Sequence, residues 1–317
     1  MGVLKIRGCP IPGPGAVALA LAAALLPLLS PAMARGETVI ERAARTGVIS
    51  VGGPTNLPPY SFLNDKQQPT GYGIVVAERI AAEVSRYLGK PISLEVLPLN
   101  DPAALFRQVK TGELDLACGA QFTWEREMFV DFTLPFSLSG IRILTPEGRL
   151  SGTPESLVGK RVGVVADSLG DRAIKAFQPR AVRVPVAGLG EAVTQVVGGQ
   201  LDAVAGDSLL IAAALQRSGA RGFALVPDAP LARYAVGCIL PENNSTFRNL
   251  ANLAVAKLIQ GYLNDNKADQ DLVNRWLGPQ GLVGLPPQLI KDYFQTVLLN
   301  HEQILVPTSS NPSPQSP

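Results

Sequence analysis

From Glu37 onward, apolar residues recur at helical spacing, give way to short β-branched runs, and then return to helical spacing. The run opening at Glu37 reads as a helix, followed by a strand, Val48-Ile49-Ser50-Val51-Gly52. Residues 74–84 are amphipathic by their apolar spacing. A second strand over 92–97 and a helix over 102–110 complete a β-α-β-α succession. Gly112 then marks a turn into a strand over 114–118. The stretch from Pro54 to Phe62 interrupts this order. Its prolines lack a donor and push the residue before them out of helical geometry, so it is a braced loop. Lys66 to Pro69 reads as a solvated hairpin turn.

The pattern then repeats. Thr111-Gly112-Glu113-Leu114-Asp115-Leu116-Ala117-Cys118-Gly119 has a counterpart in Gly198-Gly199-Gln200-Leu201-Asp202-Ala203-Val204-Ala205-Gly206. Each copy follows an apolar helical run and places a Gly-x-Leu-Asp turn before a strand of small residues ending in glycine. The same order in both halves predicts two α/β lobes of like design. The second lobe would open with the strand at Gly159-Lys160-Arg161-Val162-Gly163-Val164-Val165 and a helix after Asp167-Ser168-Leu169-Gly170. Helices over 247–263, 271–277 and 289–299 follow, and the Ser-, Pro- and Asn-rich end of the chain cannot bury enough to fold.

Composition narrows the chemistry. The chain has 317 residues, enough for two domains. A formal net charge of +2 gives no basic field for nucleic acid. A single histidine, His301, and three cysteines argue against metal-cluster and histidine-base chemistry, so no cofactor or metal is expected. Residues 1–34 read as a signal peptide: Lys5 and Arg7 precede an apolar stretch too short to span a bilayer comfortably, and Ala32-Met33-Ala34 suits signal peptidase. An exported, periplasmic protein cleaved near Ala34 is expected, and Cys9 would leave with the leader.

The segment 109–136 carries the most chemistry. Arg126 stands among the hydroxyl and amide side chains of Thr123 and Gln121, beside Trp124, and a guanidinium fork meets a carboxylate with paired donors. The plainer alternative is a surface ion pair with Glu125, Glu127 or Asp131. In the second half Asp207-Ser208 follows the repeat glycine, where an acid at a strand end suits an ammonium group. Ser168 either helps hold an anion at a helix N-terminus or simply caps the helix. Tyr60 and Phe62 are candidate pocket aromatics, with core packing the better assignment for Phe62.

These residues resemble a family 3 periplasmic solute-binding protein, the class that delivers polar amino acids to ATP-driven importers. The resemblance runs from about 37 to 301. It rests on Pro59-Tyr60-Ser61-Phe62, Gly71-Tyr72, Gly112-Glu113-Leu114-Asp115, Glu125-Arg126-Glu127 with Asp131-Phe132 and Pro135-Phe136, residues 157–164, and Leu201-Asp202-Ala203-Val204 with Asp207-Ser208. It implies an α/β fold of type II, with two hinge-linked, discontinuous lobes around a cleft. The first lobe would be 35–143 plus 237–303 and the second 144–236, with crossings near Ile143-Leu144 and Ala235-Val236 and a disordered tail over 304–317. It implies that Arg126 holds a ligand carboxylate with help from Ser168, that Asp207 holds an amino group, and that Gly119, Gln121, Thr123, Tyr60, Leu57 and Trp124 line the site. Cys118 and Cys238 resemble the paired cysteines of the glutamate/aspartate-binding branch, which implies a disulfide, with two free thiols as the alternative.

The chain departs from the family pattern at Gln121, where a serine or threonine is usual, at Val75, where an acid is usual, and at Leu57, where an aromatic is usual. No arginine stands near Pro54, which weighs against an acidic ligand side chain. A monomeric receptor with an amino-acid ligand and an ABC permease as partner is expected, and not an enzyme. The alternatives are an enzyme like the cyclohexadienyl or arogenate dehydratases and a soluble ligand sensor.

Overall fold

The protein is described by a computed structural model over residues 36–300. The leader, His301 and the tail lie outside the described residues. The first helix, α1 (Val39–Thr46), opens with Thr38 and Glu41 in a reciprocal capping box and ends at Gly47 in the left-handed region. It feeds β1 (Val48–Gly53), two short strands β2 (Asn56–Leu57) and β3 (Ser61–Leu63), and β4 (Pro69–Thr70). Helix α2 (Tyr72–Leu88), strand β5 (Ser93–Pro98) and helix α3 (Pro102–Thr111) follow. The Pro54–Phe62 loop is thus partly paired, because β2, β3 and β4 make a small antiparallel sheet.

Next come β6 (Ala117–Gln121), the single turn α4 (Trp124–Glu127), β7 (Asp131–Phe132) and the long β8 (Ser137–Pro146). The second half runs β9 (Arg161–Val165), α5 (Leu169–Phe177), β10 (Val182–Val186), α6 (Leu189–Val197), β11 (Ala203–Asp207), α7 (Ser208–Ser218), β12 (Phe223–Val226) and β13 (Ala232–Leu240). Helices α8 (Ser245–Leu263), α9 (Lys267–Trp276) and α10 (Pro287–Leu299) close the described chain.

The strand expected over 114–118 begins three residues later, at Ala117. Asp115 explains the shift. Its carboxylate accepts from the Ser50 amide at 2.7 Å and the Ser50 hydroxyl at 2.8 Å, and it pairs with Arg42, so residues 113–115 bend to bury it. In the repeat, Asp202 does the same with the Arg161 amide at 2.9 Å. The Gly-x-Leu-Asp turn is therefore a fastener: each copy ties the strand after it to the first strand of its half, Asp115 to β1 and Asp202 to β9.

Eight strands form the main sheet, in the order β10-β9-β11-β8-β13-β6, with β12 on β8 and β7 on β13. Strands β8 and β13 pair antiparallel with each other over Ser137–Ile141 and Ala232–Val236. Beyond that stretch β8 continues into pairing with β11 and β12, while β13 continues with β6 and β7. These two strands join the two lobes. One lobe carries a large core in which α2 and α8 bury Ile80, Val84, Phe247 and Ile259, and the other has cores around Val162 and Ile174 and around Val193 and Ile211. Ala173 of α5 and Leu209 of α7 belong to the large core, so the lobes touch next to the strand crossings.

Candidate functional site

The last residue of β6 and the last residue of β11 meet. Gln121 ends the first and Asp207 the second, and the Gln121 amide nitrogen reaches Asp207 Oδ2 at 3.4 Å and Tyr234 Oη at 3.1 Å. Tyr234, on β13, donates its hydroxyl to the same Oδ2 at 2.6 Å. On the other oxygen, Oδ1, Ser139 of β8 donates at 2.6 Å, and the Leu209 and Leu210 amides at the start of α7 donate at 2.8 and 3.1 Å. Asp207 is thus both the cap of α7 and the centre of a hydroxyl cluster, and it is only 3% exposed. A buried carboxylate is tolerable when donors surround it, which is what this one has. Its negative charge, after burial itself, pushes the Tyr234 hydroxyl far above the usual phenol range.

Arg126 is the third residue of α4, which follows the short loop after β6. Thr123 caps α4, accepting from the Arg126 amide at 3.3 Å, and Arg126 Nη1 donates to the Gln121 main-chain carbonyl at 2.9 Å. The ion pair with Glu125, Glu127 or Asp131 is not formed: Asp131 pairs with Arg248, and among the described residues Arg126 has no carboxylate partner. Burial, then the positive charge of Arg172 on α5, holds the Arg126 guanidinium below its ordinary pKa. A half-buried cation bonded to a single carbonyl has donors left for an anion.

The model for bacterial extracellular solute-binding proteins, family 3, matches residues 49–279. The chain belongs to that family. Among similar proteins, the glutamate/aspartate import solute-binding protein of Escherichia coli K12 is 26% identical over 259 residues, covering 78% of this chain and 83% of that one. The L-cystine-binding protein TcyJ of the same strain is 26% identical over 147 residues, covering 45% and 53%. The solved structure of the ancestral amino-acid-binding protein AncCDT-1, a precursor of cyclohexadienyl dehydratase, shares the fold at a TM-score of 0.63, with 22% identity over 76% of this chain and all of that one.

The remaining predicted residues of this solute-binding protein have the following surroundings. Gly119 has φ +100°, and a Cβ there would sit 2.7 Å from the Tyr60 Cβ, so glycine is required twice over. Tyr60, expected as a pocket aromatic, is buried in the large core at 1% exposure. Its ring meets Phe136 edge-on and its hydroxyl lies 3.2 Å from Ser137 Oγ, because Gly119 lets the β6 backbone close over it. Phe62 packs edge-on against Trp276, with the Arg217 guanidinium 5.8 Å from its centroid. Trp124 is 76% exposed and stands edge-on to Phe122, which in turn meets Phe132. Leu57 is half-buried on β2. Ser168 caps α5, accepting from the Asp171 amide at 3.2 Å. Cys118 and Cys238 form a disulfide that joins β6 to β13 three residues from Gln121.

The residues that sequence reading missed are Ser139, Tyr234 and Arg172. Ser137 and Ser139 alternate at the start of β8, which places both hydroxyls on one face and was a usable signal. Nothing around Tyr234 or Arg172 marks them. A cavity of about 370 Å³ lies elsewhere, between α7, β12 and Val283, and none of the site residues lines it. Among the described residues no cluster of three His, Cys, Asp or Glu could hold a metal, and no helix is long and apolar enough to cross a membrane.

Proposed function

We propose that this family 3 protein is a periplasmic receptor that closes its lobes on a polar amino acid and delivers it to an ABC-type permease. In this reading the leader is removed near Ala34, the lobes are 35–143 with 237–303 and 144–236, and the receptor works as a monomer. The carboxylate of the solute rests on the fork of Arg126, with Gly119, Thr123 and Ser168 around it and Trp124 and Leu57 as apolar walls. The observation that carries the proposal is Arg126 itself, a half-buried guanidinium with no carboxylate partner among the described residues. Leaving such a group without an anion is costly, and a ligand carboxylate removes that cost. The relatives that bind glutamate, aspartate and cystine support an amino acid as the solute. A ligand that touches both lobes stabilises the shut state only, so binding and closure are one event.

The test is calorimetric titration of mature protein, refolded from denaturant to strip any bound solute, against the amino acids. Sub-micromolar binding of one or a few, weakened by about 100-fold or more in Arg126→Ala, is the expected result. A folded protein that binds none of them, or an Arg126→Ala variant that binds as before, overturns the reading. Turnover of prephenate or arogenate would move the protein to the dehydratases.

A further inference from the structure

We propose that the cavity between α7, β12 and Val283 is a second binding site, separate from the residues around Arg126 and Asp207, for a small molecule with an apolar body and a carboxylate end.

The first observation is what lines the cavity. Its volume of about 370 Å³ falls within the range of small-molecule sites. Leu144 of β8, Leu215 of α7, and Phe223 and Leu225 of β12 give it apolar walls, and all four belong to the core around Val193 and Ile211 or pack against it. Val283, between α9 and α10, gives a further apolar wall, and it packs against the large core of the other lobe. Leu144 is fully buried, so the floor of the cavity is core and not surface.

The second observation is that the two lobes meet beside it. The Val283 amide donates to the Trp276 carbonyl at 3.0 Å, and the Trp276 ring meets Phe62 edge-on. The Arg217 guanidinium, on α7, lies 5.8 Å from the Phe62 centroid. One wall of the cavity is therefore tied to the patch that α7 touches across the seam. A molecule filling the cavity contacts both lobes and favours the setting in which they meet.

The third observation is charge. From Ser208 to Pro227 the chain carries Arg217 and Arg221 and no acid. Arg217 stands in the last turn of α7, where a cation complements the helix end, and it also covers the Phe62 ring. Arg221 lines the cavity, is exposed, and has no ion pair among the described residues. Glu147, whose amide donates to the Gly222 carbonyl at 2.9 Å, does not pair with it. A carboxylate at Arg221, with its carbon chain against Leu144, Leu215 and Phe223, suits both parts of this lining. The chain leaves water for the apolar walls, and the guanidinium gains an anion.

The experiment is methyl-group NMR titration of the mature protein with hexanoate and with 1-hexanol, its uncharged counterpart. Hexanoate should shift the methyl signals of Leu144, Leu215 and Val283, with a Kd of about 1 mM or tighter. 1-Hexanol should bind about threefold more weakly, the share that an exposed charge supplies. Arg221→Gln, a change at an exposed side chain, should weaken hexanoate to the level of the alcohol and leave the alcohol unchanged. Ala212→Phe places a ring in the cavity and should exclude both probes; should it fail to fold, Arg221→Gln still decides. Three results overturn the proposal: lining methyl signals that stay still, shifts gathered around Arg126 instead, or hexanoate that binds Arg221→Gln as it binds the wild-type protein.

Discussion

At the scale of single residues, Glu127 shows how local environment decides behaviour that sequence leaves open. It follows Arg126 in a stretch of alternating charge and looks like a solvated partner. In the fold its Oε2 is buried without a hydrogen bond, and burial, then the charge of Asp131, holds its carboxyl above the usual range. The native state therefore keeps a proton that the unfolded chain gives up. Stability falls as pH rises from the ordinary carboxylate pKa through the raised one. Replacing Glu127 with Gln removes the charge, so the variant should gain on the wild-type protein at about pH 7 and show little difference near pH 4. Urea unfolding at both values checks this; equal differences at both would mean the charge is already compensated. Arg126 was legible because its neighbours are hydroxyls and amides in sequence. Tyr234 was not, because its partner Asp207 is brought to it only by strand pairing across the sheet. The part of Asp207 that sequence does announce is the cap, an acid directly before an apolar helix. Its five-donor environment is a tertiary fact.

At the scale of elements, most helices and strands could be read from periodicity, and the misplacements fall at element ends. Helix α2 starts at Tyr72, two residues before the amphipathic run, and α9 starts at Lys267, four before the predicted start, because Asn266 caps it by accepting from the Asp269 amide. Strand β6 starts late because a buried aspartate outweighs the alternation of its neighbours. Packing between elements is less visible still. Gly170 reads as an ordinary residue in the first turn of a helix, yet a Cβ there would lie 2.9 Å from the Ala205 carbonyl and 3.1 Å from Gly206 Cα. That contact seats α5 against the end of β11, two residues from Asp207. Gly170→Ala should lower the unfolding free energy by about 1–2 kcal/mol, since both obstructing atoms are backbone and cannot rotate away. Denaturant titration measures it, and a neutral result would mean that α5 is free to shift outward.

At the scale of the whole molecule, the repeat predicted two lobes of one design, and Asp115 and Asp202 show that the likeness extends to the hydrogen bond. The order of strands was not legible, since it depends on pairing between β8 and β13, which lie 91 residues apart from Ile141 to Ala232. The first lobe is assembled from both ends of the chain: α2 packs on α8, and β6 pairs with β13. A fragment ending at residue 136 lacks α8 and β13, and its far-UV circular dichroism should be that of an unfolded chain. Cooperative melting of that fragment alone would show that its own core suffices. The Cys118–Cys238 bridge spans 120 residues, and that span contains every strand and helix of the second lobe. Once it forms, the second lobe is a closed covalent ring hung on the first. A protease that cuts any one peptide bond within the ring opens the loop without splitting the molecule, so both pieces stay joined until a reductant arrives.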